Sequence, residues 1–347
     1  ARCRERIEAL ADATADLDDV RREAIAELRR AIGFDRWCVL LVDPDTLLVS
    51  RGIGHNDWAR ELPRLNVGDA GTADVNSLIV LARSRDHAAA LRAATGGDLA
   101  RSTRWREILS SYGVGDELRA AAVDEYGCWG DVLLWRDSDD RPFDPDEAQL
   151  MRDASRLIAR ALRRGALAPS PSAGSPPPET GVLLLDDRLR PCGSTASARA
   201  WFDALNPARM PLPEGIPTSA WSAVGRLLAA ERGEAPDHPV RIRVRAGDGG
   251  WAVVEASRVD GGANAIAITF RSAAPEEVLA LVSRAHGLSA RERELVALLV
   301  EGLDTRAIAE RLFISRYTVQ DHLKSVFEKV GVRSRRELVS GVMAQAA

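Results

Sequence analysis

The side chains best suited to chemistry in this chain lie in one segment near the C-terminus, between Ser315 and Arg336. The segment holds two acidic side chains and six basic ones: Arg316, Lys324, Lys329, Arg333, Arg335 and Arg336. Its formal charge is therefore +4, whereas the whole chain carries -4. A basic patch on an acidic protein is the footprint that a nucleic-acid-binding module leaves. Charge alone does not distinguish such a patch from an ordinary solvated helix face.

The hydrogen-bonding side chains in this segment are spaced to share one helix face. Gln320, Asp321 and Lys324 stand at positions i, i+1 and i+4, which lie on one side of a helix. Glutamine can pair with adenine, aspartate can accept from cytosine, and lysine can donate to guanine or to a phosphate. The opposite side of the helix is apolar and is predicted to be buried, through Val319, Leu323 and Val326.

Four short helices are predicted to hold this face, and each begins at a side chain that suits an N-cap. The predicted caps are Ser289, Asp304, Ser315 and Ser334. Glu292 and Glu337 follow the first and last cap by three residues, which is the capping-box spacing. Gly302 and Gly331 are typical helix ends. Residues 287–347 are therefore predicted to form an all-α, four-helix domain.

The order of these residues resembles the LuxR/NarL-type helix-turn-helix. The matching positions are Leu288-Ser289, Arg291-Glu292, Gly302-Leu303, Ile308-Ala309, Leu312, Ile314-Ser315, Thr318-Val319, His322-Leu323, Lys329, Gly331-Val332 and Ser334-Arg335. The resemblance implies that the third helix enters the major groove of double-stranded DNA and that the fourth, Arg335 to Met343, forms a homodimer surface. His322 is one position of this motif and has no partner residue in the sequence, which favours a structural role over metal binding.

The resemblance and the side-chain chemistry together predict nine DNA-binding residues: Ser315, Arg316, Thr318, Gln320, Asp321, Lys324, Lys329, Arg333 and Arg335. Ser315, Arg316 and Thr318 stand at a helix N-terminus, where hydroxyl groups, backbone amides and the helix dipole suit a phosphate. Family members commonly carry a basic residue where Gln320 stands, and an acidic Asp321 is less usual. The operator sequence is therefore not carried over from the family.

Residues 1–165 are predicted to form an α+β domain, separated from the rest by a Pro/Ser-rich linker at 166–178. Two pairs of strands are expected, one around Asp43-Pro44-Asp45 and one around Tyr126-Gly127. A closing helix is expected to begin with Asp144 as its N-cap and Pro145 in its first position. This order, with the Phe143-to-Glu147 opening, resembles a GAF domain.

GAF domains are sensory modules, so the resemblance implies a small-molecule pocket between the sheet and the stretch from about 52 to 111. Five tryptophans of this block are candidate pocket residues: Trp37, Trp58, Trp105, Trp129 and Trp135. A core position is the alternative for each of them.

Residues 179–273 are predicted to form a second α+β domain. A strand at 181–185, a helix at 194–205 and three strands after 240 resemble a PAS domain without a cofactor motif. Arg241, Arg243 and Arg245 alternate with apolar residues, which favours the solvated face of a sheet over a phosphate surface. A linker helix is expected over 274–286, with an apolar stripe of Val278, Leu281, Val282 and Ala285. The fold class predicted for the chain is therefore multidomain.

Several classes of function are disfavoured by what the sequence lacks. The only lysines are Lys324 and Lys329, so neither a P-loop nor a phospho-receiver pocket fits. The HExxH, GxSxG and GxGxxG patterns are absent too, and we expect no enzyme, no catalytic residues, no metal and no cofactor. The sequence contains no run of eighteen apolar residues, so no membrane-spanning helix is predicted. Four widely spaced cysteines and a charged N-terminus favour a cytoplasmic protein with reduced thiols.

The sequence allows three hypotheses for what its N-terminal modules bind and how they control DNA binding. One hypothesis is a regulator whose DNA-binding head is controlled by a small-molecule effector or a protein signal. The alternative is a ligand-independent dimeric DNA-binding scaffold with empty GAF-like and PAS-like modules, and a ligand-induced shift in melting temperature would separate the two. A third hypothesis is haem bound through His55, His87 or His238, which a colourless purified protein would dismiss.

Overall fold

The structure of the chain is a computed structural model. It describes the residues in these ranges: 2–12, 17–55, 59–71, 74–167, 178–207, 209–235, 241–247, 249–260 and 265–346. Two α/β units come first along the chain and a bundle of helices follows them. Among the described residues, no helix has both the length and the apolar character needed to cross a membrane.

The first α/β unit, residues 2–167, is built on five antiparallel strands. They are β1 (Arg36–Asp43), β2 (Leu48–Gly54), β3 (Ala88–Ala90), β4 (Val114–Asp124) and β5 (Gly127–Asp137). Their order across the sheet is β2-β1-β5-β4-β3. Both predicted hairpins are confirmed, and they lie side by side because β1 pairs with β5, with Val39 opposite Val132.

Helices cover both faces of this sheet. They are α1 (Arg2–Asp12), α2 (Leu17–Ala31), α3 (Leu62–Asp69), α4 (Leu78–Arg83), α5 (Leu91–Ala94), α6 (Thr103–Glu107) and α7 (Pro145–Leu167). The first two helices and α7 pack on one face, against side chains such as Val132 and Leu134. The short helices between β2 and β4 pack on the other face, where Leu133 and Trp135 point.

The start of α7 is as predicted. The backbone N–H of Glu147 donates to Asp144 Oδ1 at 2.9 Å, and Glu147 Oε2 accepts from the backbone N–H of Asp144 at 3.0 Å. These reciprocal bonds satisfy two of the N–H groups that a helix leaves free at its start. The helix continues to Leu167, two residues into the predicted linker, and residues 168–177 of that linker lie outside the described residues.

The second α/β unit, residues 179–272, repeats the strand order of the first. Its elements are β6 (Gly181–Leu185), β7 (Pro191–Ser194), α8 (Ala196–Ala204), α9 (Thr218–Glu231), β8 (Arg241–Arg245), β9 (Trp251–Arg258) and β10 (Ile266–Ser272). The antiparallel order is β7-β6-β10-β9-β8, so each unit places its first strand beside its last. The predicted strand at the start, the helix and the three later strands are present within a few residues of their predicted bounds.

Helix α9 was not predicted from the sequence, and it joins the two units. Ala220, Ala223 and Val224 are completely buried, as is usual for a helix that is covered on every side. The helix packs against β9 of its own unit and against α3 and β2 of the first unit. Ser222 Oγ donates to Asn66 Oδ1 at 3.3 Å, and Arg226 Nε donates to the carbonyl oxygen of Ala70 at 3.1 Å.

The prediction of a solvated arginine face on β8 is wrong for two of its three residues. Arg241 is exposed, as expected. Arg243 is buried between the units, where Nε and Nη2 donate to Asp43 at 3.0 and 2.6 Å. Arg245 Nη1 donates to the carbonyl oxygens of Gly165 and Ala166, each at 2.9 Å. The outer face of β8 is therefore largely a contact with the first unit.

The C-terminal helices form the predicted four-helix bundle. Its members are α11 (Ala290–Val300), α12 (Thr305–Leu312), α13 (Arg316–Val330) and α14 (Arg335–Ala346), preceded by α10 (Pro275–Ala285). Ser289, Asp304, Ser315 and Ser334 each accept a backbone N–H at a helix start, as predicted. The bundle core is formed by Leu295, Val296, Leu299, Ile308, Val319, Leu323, Val326 and Leu338.

Helix α10 connects the bundle to the α/β units. Its predicted apolar stripe is buried, and it packs into the core of the first unit together with Trp251 and Val253 of the second. On another side, Leu279 belongs to the core of the bundle. The stripe is thus covered within the chain itself.

Candidate nucleic-acid interface and cavity

The predicted DNA-reading face of α13 points outward. Val319, Leu323 and Val326 are at most 5% exposed and anchor the helix, while Gln320, Asp321 and Lys324 are on its solvent side. The Gln320 amide lies 3.4 Å from the Thr305 hydroxyl. Lys324 is exposed, and its ammonium has no hydrogen-bond or ion-pair partner among the described residues. The helix therefore presents an amide, a carboxylate and an ammonium group on one free surface.

The hydroxyl groups in the first turn of α13 contact each other and the backbone. Ser315 Oγ accepts from the backbone N–H of Thr318 at 3.0 Å and lies 2.9 Å from the Thr318 hydroxyl. Both hydroxyl groups are therefore engaged in capping the helix. Arg316 is exposed at the same end. The positive end of the helix dipole and the Arg316 guanidinium remain for an anion there.

Lys329 and Arg335, two of the predicted DNA-binding residues, have partners within the bundle. Lys329 Nζ donates to Glu292 Oε1 and Oε2 at 2.9 and 2.7 Å, and Arg335 Nη2 donates to the carbonyl oxygen of Leu303. These bonds tie both side chains to the bundle, while Arg333 is exposed beside α14.

The Glu292 carboxylate is the centre of a small buried network. It accepts from Lys329, from Ser325 Oγ at 2.7 Å and from the backbone N–H of Ser289 at 2.6 Å. Burial acts to raise its pKa, but these hydrogen bonds outweigh burial and lower the pKa of Glu292 to about 2. The carboxylate therefore stays charged and ties α11 to α13.

Two exposed aromatic side chains lie at the same end of the bundle and were missed at the sequence level. Phe313 is 95% exposed and Tyr317 is 77% exposed. Phe313 has a φ of 54° and forms the turn between α12 and α13. The exposure of Phe313 follows from this turn, for which the apolar side chain itself gave no local signal.

The first unit contains a cavity between its sheet and α3, as the GAF resemblance implied. Its walls are mostly apolar and include Leu40, Val49, Ile53, Leu62, Leu65 and Leu133. The space free of protein atoms is about 780 Å³, including the open mouth. Met210, Leu212 and Thr218 of the second unit also line it. The cavity is therefore shared between the two units.

Charged groups form one end of this cavity. Arg119 donates to Asp131 and Asp69, and Arg104 donates to Glu117 at 2.6 Å. Asp74 lies 3.5 Å from Arg104. Burial acts to lower the pKa of Arg119, but Asp131 and Asp69 outweigh burial and raise it well above its ordinary value.

This network has more carboxylates than guanidinium groups. Two arginines face four acids, Asp69, Asp74, Glu117 and Asp131. Glu117 and Asp131 are fully buried. Burial raises the pKa of Asp131 in spite of Arg119. Both guanidinium groups therefore already have carboxylate partners.

The structure separates the five candidate tryptophans. Of the four that the structure describes, Trp135 alone lines this cavity, and its Nε1 donates to Glu117 Oε2 at 2.8 Å. Trp105 packs beside it, and its Nε1 donates to the carbonyl oxygen of Val114. Trp37 and Trp129 belong to the core on the opposite sheet face, so the pocket prediction is wrong for them. Trp58 lies outside the described residues.

The three candidate haem ligands do not meet among the described residues. His55 lines the cavity, and its buried Nδ1 has no hydrogen-bond partner. His87 Nδ1 lies 3.1 Å from the carbonyl oxygen of Leu81. His238 lies outside the described residues. In the part of the chain that the structure describes, no three His, Cys, Asp or Glu side chains converge as metal ligands.

A second, smaller cavity lies where both units meet α10. Trp129 and Leu162 come from the first unit, Arg243 and Trp251 from the second, and Leu281 from α10. Its space free of protein atoms is about 440 Å³. Side chains of both units and of the helix that leads to the bundle therefore meet around one cavity.

The compact bundle, with one helix exposing a polar face behind a tight turn, defines the helix-turn-helix class of DNA-binding folds. Comparison with known proteins supports this class. Residues 286–342 match the family described as bacterial regulatory proteins, luxR family, and residues 16–162 match the GAF domain. The spore germination protein GerE of Bacillus subtilis is 44% identical over 52 residues, which are 15% of this chain and 70% of that protein. The chain belongs to the LuxR family of bacterial regulatory proteins.

Longer curated relatives match this chain over a short stretch only. An HTH-type transcriptional regulator of Mycobacterium tuberculosis is 50% identical over 52 residues, which are 15% of this chain and only 6% of that protein. Among solved structures, SdiA of Escherichia coli aligns with 99% of this chain and 96% of its own, at 13% identity and a TM-score of 0.39.

Proposed function

We propose that the chain is a sequence-specific DNA-binding transcription regulator whose DNA-binding head is controlled by its two α/β units. The observation that carries the proposal is the outward face of α13, where Gln320, Asp321 and Lys324 stand on a helix anchored by a buried core. Such a face supplies a donor and acceptor pattern for base edges. The site of action would be the cytoplasm, where a bacterial chromosome lies.

The proposed division of labour follows the predicted domains. Residues 1–165 would be a GAF-like sensory domain, 179–273 a PAS-like domain, and 287–347 the DNA-binding head, with connections at 166–178 and 274–286. The repeated strand order of the two sheets supports the PAS-like assignment. The fourth bundle helix, α14, would be the dimer surface, placing two heads on half-sites about one helical turn apart.

The control we propose is a shift between two arrangements of the heads. A small-molecule or protein signal changes DNA affinity only if it binds one arrangement more tightly than the other. The cavity shared by the two units favours this reading over a ligand-independent scaffold, because a molecule bound there would contact both units at once. The helix α10 would transmit the change, since it packs on both units and on the bundle.

The test is a selection of genomic DNA fragments by the purified full-length protein, followed by affinity measurements on the enriched sequences. We expect enrichment of a short motif that repeats with a spacing of about one helical turn. Equal retention of all fragments and random competitor would overturn the assignment. The effect of any signal is measured separately, on the affinity for the enriched sequence.

A further inference from the structure

The cavity of the first unit has two polar atoms that lack a hydrogen-bond partner. Arg104 Nε and His55 Nδ1 are both buried and unpaired among the described residues, and both residues line the cavity. Arg104 is 9% exposed, and its two terminal nitrogens are held by carboxylates. A buried donor without an acceptor costs about 1–3 kcal/mol. Its Nε–H is therefore available to an oxygen acceptor of a bound molecule.

The charge around the cavity restricts what this acceptor can be. Four carboxylates already face two guanidinium groups, so an anionic ligand would add to an excess of negative charge. A cationic ligand would meet Arg104 and Arg119 at the cavity wall, and Asp69 is already paired with both arginines. An oxygen without a formal charge satisfies the donor and avoids both repulsions.

The remaining wall of the cavity restricts the chemistry of the rest of the ligand. Leu40, Val49, Leu65 and Leu133 form an apolar surface that favours a hydrocarbon part of the ligand. Across the cavity, Met210 and Leu212 of the second unit close the space. Met210 is fixed there because its backbone N–H donates to Asn206 Oδ1 at 3.0 Å and its carbonyl accepts from Asn206 Nδ2 at 2.8 Å.

We propose that the cavity binds a small uncharged amphipathic molecule, with a carbonyl, amide or hydroxyl oxygen at Arg104 and a hydrocarbon part between the two units. This inference rests on the proposed function, and it names the class of its signal. The ligand would bridge the units, because its apolar part would touch side chains of both.

Three probes of matched size test the class on the full-length protein: hexanamide, hexanoate and hexylammonium. Titration calorimetry at pH 7 should give binding of hexanamide at least tenfold tighter than that of either charged probe. A rise in melting temperature with hexanamide concentration should accompany it. Tighter binding of a charged probe, equal binding of all three, or no binding of any would overturn the proposal.

A matched pair of variants tests the position of the ligand. Leu212→Trp would fill the cavity from the second unit, and Leu184→Trp places the same ring on an exposed position of β6. We expect a tenfold or greater loss of hexanamide affinity in the first variant and none in the second. Equal affinities would place the probe elsewhere. Because the three-probe comparison uses the unaltered chain, it stands even if Leu212→Trp fails to fold.

Failure of this proposal is distinguishable from failure of the proposed function. DNA binding by the unaltered chain is measured without any probe, so its presence with no probe binding would reject only the ligand class. Absence of specific DNA binding with clear hexanamide binding would reject only the regulator assignment.

Discussion

Arg163 of α7 donates a hydrogen bond of 2.6 Å from Nη1 to the carbonyl oxygen of Ala285, the last residue of α10. Its guanidinium carbon also lies 4.4 Å from the centre of the Tyr126 ring, and its Nε donates to Asp124 at 2.7 Å. The Tyr126 ring in turn packs against Gly287. The β4–β5 turn and α7 therefore both contact the segment from Ala285 to Gly287, which we call the bundle entrance. A movement of the first unit would reach the DNA-binding head through this contact.

Gly287 should tolerate a methyl group less well than another glycine of the bundle. It has a φ of +66°, and a Cβ there would collide with the Tyr126 ring, whereas Gly302 has a φ of +90° and open space around it. Left-handed backbone costs any L-residue about 1–2 kcal/mol. We expect Gly287→Ala to lower the free energy of unfolding by more than Gly302→Ala does, as measured by urea denaturation.

A third variant separates the collision from the backbone strain. Adding Tyr126→Ala to the Gly287→Ala protein should recover part of the stability, because the clash disappears and the strain stays. Equal losses in the two glycine variants, without any recovery, would mean that Tyr126 does not hold the bundle entrance.

The buried ion pair between Arg243 and Asp43 should contribute more to stability than the exposed Arg241 on the same strand does. Both side chains are at least nine-tenths buried between the units. Removing one partner of a buried pair typically costs about 3–5 kcal/mol, because the other charge is left without compensation. Arg243→Met should therefore lower the midpoint of thermal unfolding markedly. The exposed Arg241 is the control, and Arg241→Met should change the midpoint little; similar shifts would contradict the buried interface.

The only two lysines of the chain should behave differently in DNA-binding measurements. Lys324 lies on the free face of α13, so Lys324→Ala should weaken DNA binding. If its contact is to a phosphate, the slope of log affinity against log salt should fall by about one. Lys329 is held by Glu292, so Lys329→Ala should mainly lower stability. Unchanged affinity of Lys324→Ala at every salt concentration would refute the placement of the reading face.

The Glu292 network predicts how acid destabilises the protein. The pKa of Glu292 is lowered to about 2 in the folded chain from an ordinary value of 4.5. The unfolded chain therefore takes up the proton first as the pH falls, and the folded state loses stability between pH 4.5 and 2. Above that window the full contribution of the charged carboxylate is present.

The measurement for this prediction is urea unfolding of the unaltered protein and Glu292→Gln across that range. The unaltered protein should be more stable at pH 7, by an amount on the order of 1–3 kcal/mol. This difference should shrink as the pH falls toward 2. Glu301→Gln, at an exposed position after the same helix, is the control and should show no such convergence. A constant difference at all pH values would contradict the role given to Glu292.

Local signals explain why the bundle could be predicted nearly residue by residue. Caps such as Ser289 and Asp304 act within three residues of themselves, and the buried stripe of α13 follows from helical spacing alone. The same holds for Asp144 at the start of α7. Turn residues and strand alternation likewise placed both hairpins of the first sheet.

Contacts between distant segments were not predictable in this way. Helix α9 was overlooked because its apolar residues surround the helix and give no one-sided pattern. The alternation on β8 predicts a solvated position for Arg243. Its partner Asp43 lies 200 positions earlier, so no residue near Arg243 in the sequence indicates the ion pair. The bundle partners of Lys329 and Arg335, which are Glu292 and the Leu303 carbonyl, belong to distant parts of the sequence and give no local signal.

The amino-acid sequence by itself determined the helix-turn-helix, the face that α13 offers and the two hairpins of the first unit, since these depend on hydrogen bonds and apolar spacing over a few residues. Only the tertiary structure decided that the two units share a cavity, that Trp135 alone of the described candidate tryptophans lines it, and that Arg163 and Tyr126 hold the bundle entrance. The physical reason is that burial and charge pairing depend on which surfaces of the folded chain meet. A local sequence pattern contains no information about a surface formed by a distant segment.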